Sequence, residues 1–407
     1  MAKHTTLKFD CETAASPSIN PAITMSPTEM RGHRGQSPHS LISLVCFVAL
    51  LWTPAISLRG AAPIPERLSD EAFWKLVDRA SEPEGIFPSE NFVSNEMKYG
   101  DAIRELVKSS KPGGVYLGVG PEQNFSYIAA LRPKISFIVD IRRQNLIEHL
   151  MYKALFELSA NRVEFLSRLF SRRLPGLASD VKVEDLLTAI KSASPNPEMF
   201  QKNLQEVRTL LTVKHAFLLT ASDLMSLEKI YKAFVDSGPG ITYQTGMAAR
   251  ATANVGANPN YGDLMTATDV DARNWSYVGS DAAYQVVRDL EMRNVIVPAV
   301  GDFAGPKAIR AIGEYLKENG AIVTTFYTSN VETYLFVSTN TAATPAPNGG
   351  WKKYFENVST LPLDDSSLLV RFQGAAGSGL VYSIQDELKA VQDGRISKMA
   401  DLYQKRN

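Results

Sequence analysis

The stretch that most constrains this chain is VYLGVGPEQNFSYIAALRPKISFIVDIRRQN, residues 115–145. A short apolar run (115–119) meets two glycines, Gly118 and Gly120, and a helical pattern over 125–131 follows. A β-branched run over 135–140 then ends on Asp140. Strand, glycine turn, helix and strand in that order make a β-α-β unit. The pattern returns further on, with a strand at 295–300, a helix at 306–319 and a strand at 322–327. Pro306 stands in that helix's first turn and Gly320 just past its end, the expected asymmetry. A late strand is expected at 367–372. Alternating strands and helices predict a doubly wound α/β domain with a mostly parallel sheet covered on both faces.

About ninety residues between the second and third strands read as helix. In NLIEHLMYKALFEL, Leu146, Ile147, Leu150, Met151, Ala154, Leu155 and Leu158 form one stripe at helical spacing. Helical patterns continue at 163–171, 183–192, 197–213 and 221–236. The expectation is a large helical insertion, about 145–238, inside a domain spanning 63–407. Upstream, Ser69 is placed to cap a helix, and Pro83, Gly85 and Pro88 mark a loop before the next one. Residues 339–350 read as a flexible loop.

In such sheets, ligands bind beyond the carboxyl ends of the strands. Gly118 and Gly120 let the chain turn and bring backbone N–H groups close to a ligand. Asp140 lies 22 residues after Gly118, where a carboxylate can accept from a ribose diol. A dinucleotide suits the turn poorly: there is no third glycine, and Pro121 and Glu122 stand where a pyrophosphate would approach. S-adenosylmethionine has a ribose, a positive sulfonium and no phosphate, so Glu122 and Asn124 are compatible with it. Asn95 and Glu96, in the stretch SNE, either reach over the pocket or cap the next helix. Arg142 and Arg143 either bind an acidic substrate or begin a solvated helix. Asp302, after the strand at 295–300, is either a general base or a helix cap. Ser329 and Asn330 end the following strand as candidate substrate contacts, and Phe303 and Tyr327 could wall a ring. Two histidines and no cysteine in the body give no support for a zinc site.

YLGVGPEQN and FIVDI resemble the glycine loop and acidic second strand of class I S-adenosylmethionine-dependent methyltransferase-like Rossmann domains. Over about 68–400 the chain resembles a family of uncharacterised bacterial proteins carrying such a domain. GIFPSENFVSNE, GVGPEQNFSYIA, FIVDIRRQN, VGDFAGPKAIRAIG and FYTSNVETYLF carry that resemblance. It implies a Rossmann-like fold, adenosylmethionine as cofactor and methyl transfer to an unnamed acceptor. Tyr116 and Leu117 stand where such domains usually carry an acidic residue. The alternative is an exported, non-catalytic ligand-binding protein on the same scaffold.

Basic and acidic residues balance at 43 each, which gives no sign of a broad nucleic-acid surface. The expected partner is a small molecule. Residues 1–62 read as a disordered N-terminus plus a signal peptide or membrane anchor, with the uncharged apolar run at 41–52. Arg31 and Arg34 precede that run, Met30 is an alternative start, and Ser57 and Ala62 precede plausible cleavage points. The body is therefore expected to be exported (periplasmic or extracellular) or held at a membrane. A cytoplasmic location is the alternative, because adenosylmethionine is a cytosolic cofactor.

Overall fold

Among the described residues six strands form one sheet: β1 (Val115–Gly118), β2 (Ile135–Asp140), β3 (Ile296–Val300), β4 (Val323–Ser329), β5 (Leu368–Phe372) and β6 (Gly379–Ser383). Their order is β3-β2-β1-β4-β5-β6. β1 to β5 run parallel, and β6 runs antiparallel against β5. The computed structural model describes residues 63–87, 89–109, 112–174, 176–243, 258–336, 350–374 and 377–404. The apolar segment at 41–52, the cleavage points and nearly all of the 339–350 loop lie outside those residues. Among the described residues no helix is long and apolar enough to cross a membrane.

Every residue of β1, β2 and β3 is buried. This is the pattern of strands covered on both faces, and it explains their near-continuous apolar sequences. Pro298 sits in the middle of β3 with no N–H to give. It is tolerated because β3 is an edge strand paired only with β2. The five strands expected from sequence agree with the observed ones to within two residues at each end. β6, with the sequence GLVYS, is the addition: a half-buried edge strand has no long apolar run to announce it.

The helices, in chain order, are α1 (Asp70–Ala80), α2 (Tyr99–Ser109), α3 (Gln123–Leu131), α4 (Arg143–Leu158), α5 (Arg162–Leu169), α6 (Val183–Ser192) and α7 (Pro197–Thr209). They continue with α8 (Ala221–Ser237), α9 (Tyr261–Thr266), α10 (Asp281–Met292), α11 (Ala308–Glu318), α12 (Val331–Phe336), α13 (Gly350–Val358) and α14 (Ile384–Gln392). Ser69 caps α1 as expected, its hydroxyl accepting from the Ala72 N–H at 3.2 Å. Gly320 follows α11 with φ 58°, a conformation that favours glycine. α3, α4 and α10 pack together, while α1, α11 and α13 form a second group.

Among the described residues seven α-helices, α4 to α10, lie between β2 and β3. α4 is not merely amphipathic: every residue from Asn145 to Phe156 is buried. Its apolar stripe occupies one face. Asn145, Glu148, His149 and Tyr152, spaced i, i+3, i+4 and i+7, form the opposite face and are buried too.

Candidate functional site

Because β1 lies between β2 and β4, the chain leaves β1 in one direction across the sheet and later returns on its other side. That reversal leaves a crevice outside the carboxyl ends of β1 and β4, where ligands bind in parallel sheets. Three segments meet there: the loop after β1, the end of β4, and the irregular segment 81–98 between α1 and α2.

The loop after β1 is braced from inside by Asn124, which is fully buried. Its amide Nδ2 donates to the carbonyls of Val119 (2.9 Å), Gly120 (3.1 Å) and Pro121 (2.7 Å), and its Oδ1 accepts from the Tyr116 hydroxyl at 2.8 Å. The two glycines serve different ends. A β carbon at Gly118 would stand 2.0 Å from Asn124 Oδ1, so this glycine makes room for the brace. Gly120 has φ 77°, and no described atom lies within 4 Å of where its β carbon would be. It is the point of the loop that faces open space.

Segment 81–98 is a strap across four strand ends. At β3, the Glu82 N–H donates to Val300 O at 2.9 Å, and the Glu82 carboxylate accepts from the N–H groups of Asp302 (2.8 Å), Lys307 (2.9 Å) and Ala308 (3.3 Å). At β2, Gly85 N–H donates to Ile141 O at 2.9 Å, and Glu90 O accepts from the side chains of Arg142 and Gln144. At β1, Ser94 N–H donates to both oxygens of Glu122 at 3.2 Å. At β4, Glu96 accepts from Tyr327 Oη (2.6 Å), Gln123 Nε2 (2.9 Å) and Ser329 Oγ. Glu96 therefore stands in the β1–β4 crevice, which makes it a bridge rather than a cap for α2. Ser329 beside it holds φ 51°, an uncommon conformation for a residue with a side chain.

Burial raises the Glu122 carboxyl to about 8 and the Glu96 carboxyl to about 7, the latter opposed by its bonds from Ser329, Tyr327 and Gln123. Glu122 is thus chiefly a neutral acid at neutral pH, and the anionic character expected of it from sequence does not hold in the folded chain.

Asp140 does not offer a free carboxylate. Arg142 grips it through Nε (2.9 Å) and Nη2 (2.7 Å), while the Arg142 backbone N–H adds a third bond at 2.9 Å. Both residues are buried. Arg143 is equally committed, donating from Nε (2.6 Å) and Nη2 (2.8 Å) to Asp223 on α8. Arg142 is buried on Asp140, while Arg143 opens α4 with its side chain partly exposed and paired to Asp223. Asp302 Oδ1 accepts from Ala304 N–H at 2.9 Å, closing a turn, and the N-terminus of α11 is capped by Glu82 instead. Asn95 is half-buried beside Glu96, and Asn330 follows Ser329 and bonds the Tyr334 hydroxyl. Phe303 stacks on Tyr354 within the core rather than lining the crevice.

The structure brings Gly120, Glu122, Glu96, Ser329 and Asn330 to one place and sets Asp140 beside them. It leaves Asp302 in the turn after β3, at the far edge of the sheet. Two residues were not singled out from sequence: His149, whose Nε2 meets Gly120 O at 2.9 Å, and Glu148, one position before it. Both sit on the polar face of α4. Four polar residues recurring at helical spacing opposite a full apolar stripe were the available signal. A groove of about 420 Å³, bordered by Arg132, Pro133, Gln285 and Arg293, opens at the opposite, amino edge of the sheet. Among the described residues no three His, Cys, Asp or Glu side chains are grouped to hold a metal ion.

No curated protein matches this chain. A family profile described as Domain of unknown function (DUF7790) matches residues 91–392. That span takes in all six strands, the glycine loop and the strap from Asn91 onward. It is well over half of the 407 residues, and the chain belongs to the DUF7790 family.

Proposed function

We propose that this protein binds a nucleoside-bearing small molecule, S-adenosylmethionine foremost, at the carboxyl edge of a doubly wound, Rossmann-like sheet of the methyltransferase type. α4 to α8 are then the helical insertion in that sheet. The order β3-β2-β1-β4-β5 supports the scaffold, and an antiparallel strand at its edge is compatible with it. The observation that carries the reading is Gly120. It combines a glycine-favouring conformation with an open approach at the switch between β1 and β4.

The residues fit the ligand once the strap moves. Gly120 admits it against the backbone, and Asp140 accepts from the ribose if Arg142 yields. When bound, the ligand's sulfonium supplies an activated methyl group. Glu96, with its carboxyl near 7 in the crevice, is suited to accept a proton from the methyl acceptor. Asp302 is the other candidate base, but its carboxylate is engaged in a turn. A second reading, ligand binding without turnover, draws on the Asp140–Arg142 pair and on the strap lying across the crevice.

The test is thermal stabilisation of the full chain by adenosylmethionine and adenosylhomocysteine, since a ligand that binds only the native state raises the midpoint by mass action. The expected result is stabilisation by both. Asp140→Ala should weaken binding about tenfold to a hundredfold, from the loss of charge-assisted hydrogen bonds of about 1.5–3 kcal/mol each. No stabilisation at millimolar ligand would end the proposal. Binding without methyl transfer to any offered acceptor would favour the second reading. The apolar segment at 41–52 supports export or membrane attachment of this body. A reporter fused after residue 70 and active only in the cytosol would argue for the cytoplasmic alternative.

A further inference from the structure

Behind the glycine loop, the polar face of α4 meets the start of α3. Four observations converge there. Glu148 is fully buried, and neither of its carboxyl oxygens has a hydrogen-bond partner. His149 is 2% exposed; its Nε2 is used on Gly120 O, and its Nδ1 has no partner. Glu122 is fully buried and is met only by backbone N–H groups. Asn145, one turn before Glu148, is 1% exposed with an unpartnered Nδ2. Buried polar atoms in folded proteins are nearly always satisfied, so a cluster of orphans signals something that belongs there.

The chemistry of the cluster says what. Two carboxyls and an imidazole lone pair are acceptors in search of N–H donors and positive charge. The Nε2 of His149 lies against a carbonyl and so carries the proton, which leaves Nδ1 as an acceptor. Aromatic rings wall it: Phe125 packs edge-to-face with the His149 ring at 5.4 Å and the Tyr152 ring at 5.2 Å, centroid to centroid. We propose that the polar face of α4 and the base of the glycine loop enclose a binding site for a small organic ammonium ion, reached past Gly120, with Glu148 and Glu122 as its counter-ions.

The charge balance makes the proposal specific. Burial and the neighbouring Glu122 hold the Glu148 carboxyl well above its usual range, and burial brings Glu122 to about 8. Burial thus favours the protonated, uncharged form of both carboxyls. The groups facing them are Asp140 and Arg142, already paired with each other, neutral His149, and the hydroxyls of Tyr99, Tyr152, Tyr261 and Tyr277. An ammonium ion arriving there replaces a carboxyl proton: the carboxylic acid becomes a carboxylate paired with the cation, and one proton goes to solvent. No bond to carbon forms or breaks.

The probes are methylammonium and butylammonium chloride added to the full chain, against equal sodium chloride and against butanol as the neutral isostere. The ammonium salts are expected to raise the thermal midpoint by a few degrees at saturation, while sodium chloride and butanol do not. Affinity should climb as pH rises toward 8. Calorimetry in two buffers of different ionisation heat should show about one proton released per cation bound. Glu148→Gln and Glu122→Gln should each abolish the stabilisation. If neither variant folds, proton release by the unaltered chain decides the matter. Midpoints equal in ammonium and sodium salts, an undiminished effect in Glu148→Gln, or binding without proton release would each overturn the proposal and leave ordered water as the partner of these groups.

Discussion

Glu122 occupies the most demanding position in the molecule. Its carboxyl is fully buried at the start of α3, and the desolvation that raises it to about 8 makes stability depend on pH. Unfolded, the same carboxyl titrates near 4.5. Below 4.5 both states hold the proton. Between 4.5 and 8 the unfolded chain releases it and the folded chain keeps it, so stability falls as pH rises, by about 1.4 kcal/mol per pH unit for this one group. Glu96 acts in the same direction up to about 7, and Glu291, raised by burial, does so up to about 8. His149 opposes them: burial lowers it to about 4, so its contribution is lost as pH falls from 6.5. The thermal midpoint is therefore expected to decline from pH 5 to pH 8. Glu122→Gln should flatten that decline by about one group's share. A decline of unchanged steepness in the variant would show that Glu122 is not held neutral. Asn124 makes the complementary point. From sequence it is a ligand candidate, but its amide is spent on three carbonyls of its own loop.

At the scale of elements, the strap between α1 and α2 determines access to the carboxyl edge. Its best-defined anchor is Glu82, which accepts three backbone N–H bonds from the turn after β3 and the start of α11. Glu82→Ala leaves those donors without their partner and is expected to cost about 1–3 kcal/mol, measured by urea unfolding. It should also speed amide hydrogen exchange at Gly85 and Ser94, whose N–H groups hold the middle of the strap to Ile141 and Glu122. Faster exchange at Gly85 alone would mean that the β1 end is latched separately. α4 is recognisable from sequence by one face alone. Its apolar stripe is plain in the sequence. The burial of its other face follows from α3 and the glycine loop packing there, which no local pattern reports.

For the whole molecule, the C-terminal third is tied in by a buried ion cluster. Arg371 on β5 reaches Glu332 on α12 at 2.7 and 2.9 Å, Glu387 on α14 at 2.7 Å, and the Leu402 carbonyl at 2.6 Å. All three charged side chains are no more than 2% exposed. Removing one partner of such a group leaves uncompensated buried charge, so Arg371→Met is expected to cost about 3–5 kcal/mol. Replacing all three by apolar residues of similar volume should restore most of that loss, as read from denaturant midpoints. If the single substitution costs as little as a surface change, the cluster does not tie the elements together.

The sequence by itself determined the α/β alternation, the five parallel strands, the caps at Ser69 and Gly320, and a glycine turn followed by an acidic strand end. Each of these is local: strands buried on both faces must be continuously apolar, helix ends must satisfy their free N–H and C=O groups, and a tight turn must admit positive φ. Only the tertiary structure decided what the polar residues do. Asp140 and Arg142 are two residues apart in a sequence that reads equally well as ribose acceptor and substrate clamp, yet in space they satisfy each other. Arg143 found Asp223, eighty residues away, and Glu96 found Tyr327 and Ser329 across the sheet. A charge buried at low dielectric takes whichever partner the fold delivers, and that partner is set by packing between segments distant in sequence.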